Sequence, residues 1–248
     1  MRRIKIEVCY DGTEYHGWQV QPGLPTIQGA LEAVASEIEG SAVQVHGSGR
    51  TDAGVHALAQ VAAFSIENPI PVENLRRAMN RLLPLDIRVT RTEEAGEDFH
   101  PRFQAKAKTY EYRIYRPEVC PPFDRRYVYH HPYPLDVDAM IALAPMIEGE
   151  HDFTAFAATD ARDELGASKV RRIFSSAMVF DGDRLIYRVR GGGFLKHMVR
   201  NIAGVLLEVG KGNVDRAGFL ARLQPGCETP PGPTAPARGL FLISVEYE

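Results

Sequence analysis

Between residues 2 and 10 the chain alternates: Arg2, Ile4, Ile6, Val8 and Tyr10 share one side, and Arg3, Lys5, Glu7 and Cys9 the other. A period of two is that of a half-buried β-strand. After a stretch rich in turn formers, DGTEYHGWQVQPGLP, the period changes. Ile27, Ala30, Leu31, Val34 and Ile38 recur at helical spacing, and Gly40 supplies a stop. The same reading predicts strands near 43–46 and 56–65, a helix near 71–82 and a strand near 86–93. From residue 106 the order runs again: strand 106–116, helix 136–148, strands 170–180 and 184–191, helix 194–209, strand 239–247. Each half reads βαββαβ, an order that suggests structural duplication although no residue-level repeat accompanies it.

Split βαββαβ units make sheets covered by helices on one face. The predicted fold is therefore α+β: two βαββαβ-like halves, residues 1–104 and 105–248, forming one continuous, mostly antiparallel sheet with helices packed on one face and a cleft between the halves. QPGCETPPGPTAPAR, residues 224–238, is rich in proline and reads as an irregular loop before the last strand.

Composition narrows the function classes. With 44% hydrophobic residues over 248 positions the chain can bury a sizeable core, and a net charge of −3 means that any basic surface is local. Cys9, Cys120 and Cys227 form no CxxC pair, which argues against a disulfide framework or a cysteine zinc site and fits a reducing cytosol. MRRIKIEVCY lacks the apolar run of a signal peptide, and no stretch reaches membrane-spanning length. His46, His56, His100, His130, His131, His151 and His197 show no metal-ligand spacing, so no metal is expected.

Three stretches can carry chemistry. In HGSGRTDAGVHALAQVAAF, glycines 47, 49 and 54 enclose Arg50 and Asp52, and small residues follow, leaving room beside an acid. A surface turn with an Arg–Asp pair is the competing reading. In HPRFQAKAKTYEYRIYR the alternation puts Lys106, Lys108, Tyr110, Tyr112 and Ile114 on one side, with Arg102 upstream in the same register. Cations neutralise phosphates and rings stack on unpaired bases, so this face suits nucleic acid, unless the tyrosines merely pack the sheet. In RGGGFLKHMVRNIAG, three glycines precede a helix with an apolar stripe and Lys196, His197 and Arg200 on its remaining side. No phosphate-cradling motif accompanies them, which speaks against a nucleotide cofactor. A half-buried Arg200 would need an anionic partner, for which Asp52 is the candidate.

In this order GRTDAGVHALAQ, KTYEYRIY and GGGFLKHMVRNIAG, together with YDGTEYHGWQVQP, FHPRFQAKAKTYEY and LLEVG, closely resemble the TruA family of tRNA pseudouridine synthases over almost the whole chain. The resemblance implies cofactor-free isomerisation of uridine at positions 38, 39 and 40 in the anticodon arm of tRNA. It casts Asp52 as the catalytic carboxylate, Tyr110 as the ring that faces uracil and handles the C5 proton, and Arg200 as the cation that keeps the acid ionised. Arg50 would help evert the target nucleotide. Lys106, Lys108, His56, Lys196 and His197 complete the expected substrate-binding set with Tyr110. Three first steps suit the carboxylate: attack at C1′, attack at C6, or abstraction of a ribose proton. The resemblance also implies a cytoplasmic homodimer bound to tRNA, with no membrane partner. Rival readings are a pseudouridine synthase with another RNA target, a non-catalytic tRNA chaperone, and a nucleoside hydrolase.

Overall fold

The computed structural model describes residues 1–160, 166–227 and 229–248. Residues 161–165, within the stretch 158–169 whose closure on RNA the sequence leaves open, lie outside the described residues. The fold is α+β with mostly antiparallel strands, as the sequence predicts. The chain divides into two compact units. Unit one holds Met1–Lys106 and Phe241–Glu248, and unit two holds Ala107–Leu240.

Unit one is built on β1 (Arg2–Tyr10), whose alternation survives intact: Ile4, Ile6 and Val8 are fully buried while Arg3, Lys5 and Glu7 are half-exposed. It pairs antiparallel with both β3 (His56–Ile66) and β4 (Ile87–Ala95). The two-residue β2 (His46–Gly47) adds to β3 at Ala62 and Ala63. β10 (Leu240–Glu246) joins the opposite end of β3 in parallel, Phe241 beside His56. The order is thus β4-β1-β3-β10. α1 (Ile27–Glu39) starts at Thr26, whose hydroxyl accepts the Gly29 amide, and stops at Gly40 with φ +80, as its pattern foretold. α2 (Val72–Leu82) packs on β4 through Leu75 and Met79.

Unit two has the strand order β5-β9-β8-β7, all antiparallel: β5 (Ala107–Tyr115), β9 (Arg184–Gly191), β8 (Val170–Asp181) and β7 (Gly149–Asp152). The two-residue β6 (Tyr129–His130) lies parallel to the far end of β5. The helix expected at 136–148 is shorter. α3 (Val137–Leu143) gives way to a 3-10 turn at Ala144–Ile147, because Pro145 has no amide to continue the α-helical ladder. The helix expected at 194–209 also needs correction: α4 (Met198–Gly210) begins four residues later. His197, the only non-glycine with positive φ among the described residues, turns the chain at φ +60 immediately before it. Lys196 and His197 therefore precede the helix and do not sit on its face. α5 (Arg216–Ala221) follows, capped by Asp215.

The proline-rich segment is irregular but seated. Its 229–236 stretch lies against α4 so closely that a Cβ on Gly204 would stand 1.7 Å from the Pro233 carbonyl oxygen, and one on Gly232 would stand 2.3 Å from Val205 Cγ2. In an open helix Gly204→Ala would stabilise by about 1 kcal/mol. Here it must push backbone off backbone, so Gly204→Ala is expected to destabilise by about 1–3 kcal/mol in urea unfolding. A neutral or stabilising result would show that the segment does not rest on the helix.

Candidate functional site

Asp52 lies on the loop between β2 and β3, and the N-terminal segment after β1 holds that loop from below. The Trp18 amide donates to the Thr51 carbonyl at 3.0 Å, and the Gly54 amide donates to the Tyr15 carbonyl at 3.3 Å. Tyr10 Oη lies 2.9 Å from Thr51 Oγ1, both groups buried. On the β3 side the buried Gln60 takes the Ser48 hydroxyl at 2.6 Å and donates to the Gly49 carbonyl at 3.1 Å. A turn closed by the Val55 amide on the Asp52 carbonyl, with Gly54 at φ +77, then leads the chain into β3. These bonds fix the backbone on both sides of Asp52. Its side chain is half-buried, and that of Arg50 is exposed.

The glycines serve this packing. A Cβ on Gly47 would lie 2.6 Å from the Trp18 indole, and one on Gly12 would lie 2.0 Å from the Val55 carbonyl oxygen. Gly17 has φ +88, and a Cβ there would meet the Thr51 oxygen at 2.6 Å. From the sequence, glycines 47, 49 and 54 were read as leaving room beside the acid. The structure gives Gly47 an indole to clear and Gly54 a left-handed turn to make.

In unit two, Tyr110 sits on β5 opposite Val189, almost buried, its ring edge-on to Phe194 at 5.0 Å between centroids. Lys108 pairs with Gly191 two residues earlier on the same face. Tyr112 shares that face but is fully buried, its hydroxyl donating to the Pro236 carbonyl at 2.9 Å, so it packs the core and is not presented to a ligand. Behind the strand, Glu111 accepts from Arg188 at 2.9 Å and Arg113 at 3.1 Å. Arg200 lies on the first turn of α4, where its Nε donates to the Ala235 carbonyl at 2.8 Å while the Ala235 amide donates to the Arg200 carbonyl at 3.1 Å. This two-way clasp orients the guanidinium. Asn201, 1% exposed, donates to the Phe156 carbonyl and accepts the Thr234 hydroxyl, tying the same loop down.

Arg50 and Asp52 thus share one loop of unit one, where Lys106 is also found, exposed. Tyr110, Lys108, Lys196, His197 and Arg200 belong to unit two, where Lys196 reaches the Thr159 carbonyl at 3.2 Å. His56, expected to meet RNA, is 1% exposed. Its Nδ1 accepts the Gly12 amide at 3.1 Å and its ring stacks on Phe241 at 4.7 Å, so it braces the segment under the Asp52 loop. Sequence reasoning passed over Trp18, Gln60, Asn201 and Thr234. Two left a trace: Trp18 is the chain's single tryptophan, and Asn201 interrupts an otherwise apolar stripe. Among the described residues no group of three or more His, Cys, Asp or Glu could hold a metal ion, and no helix is long and apolar enough to cross a membrane.

A family model described as tRNA pseudouridine synthase matches residues 7–104 and 143–248, stretches that contain Asp52 and Arg200. A protein of Solibacter usitatus named tRNA pseudouridine synthase A is 65% identical over 247 residues, covering all of both chains. Proteins of the same name from Geotalea uraniireducens and Latilactobacillus sakei are 44% and 41% identical, over all of this chain and 100% and 99% of theirs. The chain belongs to the tRNA pseudouridine synthase family, as its motifs implied. Tyr110 falls between the two matched stretches, within the full-length alignments to these relatives.

Burial pushes the Tyr10 hydroxyl up to about 12, against the pull of its bonds to Thr51 and Gln60. The folded state therefore favours the neutral phenol. Its contribution is whole below pH 10, the ordinary tyrosine value, and is lost as pH rises through about 12. Tyr10→Phe is expected to flatten the fall of stability across that window by one group's share, read from urea titrations followed by Trp18 fluorescence. An unchanged slope would mean that the phenol bonded to Thr51 does not titrate there.

Proposed function

We propose that this protein isomerises uridine to pseudouridine in tRNA, at positions 38, 39 and 40 of the anticodon arm and without a cofactor. The observation that carries the proposal is the Asp52 loop, braced on both sides by buried hydrogen bonds in a chain that aligns end to end with enzymes named for this reaction. In the reaction the bond from ribose C1′ to N1 breaks, the uracil turns, and C5 bonds to C1′. C5 gives up its proton and N1 takes one, so the product is an isomer and nothing is consumed.

Each side chain suits a role in that sequence. Asp52 is the carboxylate that opens the reaction, and its fixed backbone holds the acid ready at little entropic cost. Tyr110, on a rigid strand with its ring wedged by Phe194, holds the freed uracil and serves the C5 proton. Arg200, oriented through Ala235, supplies positive charge where negative charge gathers. Arg50, exposed beside Asp52, steadies the everted nucleotide. Lys106, Lys108, Lys196 and His197 neutralise phosphates. The enzyme acts in the cytoplasm, and as a homodimer it gives each tRNA a wider basic surface than one chain of net charge −3 offers.

Release of tritium from C5-labelled uridine in tRNA tests the reaction itself. The wild type should release it, with no free uracil. Asp52→Ala should bind tRNA as before and lose turnover by at least about a thousandfold. Free uracil would instead make the protein a nucleoside hydrolase. Undiminished release by Asp52→Ala would remove Asp52 from the reaction, tRNA binding without release by the wild type would make it a chaperone, and release from uridines outside the anticodon arm would reject the site.

A further inference from the structure

We infer that Phe103 is a stacking platform for an unpaired base of the RNA, a reading that rests on the tRNA activity proposed above. The turn that carries it is held on several sides. Arg3 Nε donates to the Phe99 carbonyl at 3.0 Å, and Tyr247 Oη donates to the Pro101 carbonyl at 2.8 Å. His100 Nδ1 accepts the Arg102 amide at 3.2 Å, and the Gln104 amide returns to the His100 carbonyl at 3.2 Å. Phe99 packs on Tyr247, with the Lys5 ammonium 4.8 Å from the tyrosine ring. So much fixation would ordinarily serve to bury an apolar side chain, yet Phe103 is 77% exposed.

Its surroundings show what the exposed ring fits. Phe103 lies 4.2 Å from the His100 ring, tilted by 30°, and His100 lies 5.7 Å from His46 on β2. Three planar rings in series run outward from the strand that opens the Asp52 loop, and the last ends in water. A nucleobase is the planar group that extends such a series. His46 is six residues from Asp52, a chain length of at most about 20 Å, so the platform belongs to the same RNA-facing neighbourhood. The Arg102 guanidinium stands 5.9 Å from the Phe103 ring, which matches a phosphate-linked partner. No other large exposed hydrophobic residue occurs between Leu85 and Val119. An exposed ring beside a guanidinium offers a base stacking and charge together.

The test uses steady-state tritium release from an anticodon stem-loop RNA. Phe103→Ala and Phe103→Leu are each expected to raise KM roughly 5- to 100-fold, with the loss in KM and not in kcat. Phe103→Trp should retain the wild-type KM, and its added indole fluorescence should be quenched on RNA binding. An abasic substitution in the loop at the stacked position should abolish the quenching. Unchanged KM in Phe103→Ala, or a leucine variant as good as wild type, would overturn the inference while leaving the activity standing. A changed oligomeric state with unchanged KM would overturn it in favour of a protein contact. Failure of the wild type to release tritium would instead sink the activity on which it rests.

Discussion

The carbonyl of Thr51 accepts the Trp18 amide at 3.0 Å, and for that bond to form Gly17 must adopt φ +88 in a space with no room for a Cβ. Much of unit one is arranged around this contact. β1 delivers Tyr10 beneath Thr51. The turn after β1 passes under the loop, and the indole of Trp18 fills the crease above Gly47. A half-exposed acid on a free loop would sample many positions. Here hydrogen bonds on both flanks have already taken the backbone entropy out, so a ligand that meets the loop need not order Asp52.

Unit two orients its cation by a different device. Arg200 sits on a helix whose first turn is gripped by an irregular segment rich in proline, through paired bonds with Ala235 and the bridge from Asn201 to Thr234. Prolines limit how that segment moves, and Gly204 lets it come within contact distance of the helix backbone. A stretch without secondary structure thereby becomes a fixed wall.

Long elements were legible in the sequence because one repeating face specifies them. The alternation from Arg2 to Tyr10 and the spacing of Ile27, Leu31 and Val34, closed by Gly40, gave β1 and α1 nearly to the residue. Short ones were not. β6 has two residues, β7 four and α5 six, too few for a period to register. The start of α4 was misplaced because apolar Phe194 and Leu195 continue the helical spacing, while the turn at His197 depends on how the glycine run leaves β9. The candidate residues Asp52, Tyr110 and Arg200 were picked out by type and order. Their supports escaped because Trp18 under Gly47, or Thr234 on Asn201, are meetings between positions 29 and 33 apart that no local pattern encodes. His56 shows the converse: a histidine in a functional motif can serve the wall and not the substrate.

β10 follows every strand of unit two in sequence, yet it inserts beside β3 and belongs to the unit that contains β1. Unit one therefore cannot finish its sheet until unit two has been made. Unit two, whose strands are consecutive in sequence, can assemble earlier. The His56 end of β3 waits for its β10 partner through that interval, and a chain cut short before Leu240 would keep its acid-bearing loop while leaving His56 without the ring of Phe241 that covers it.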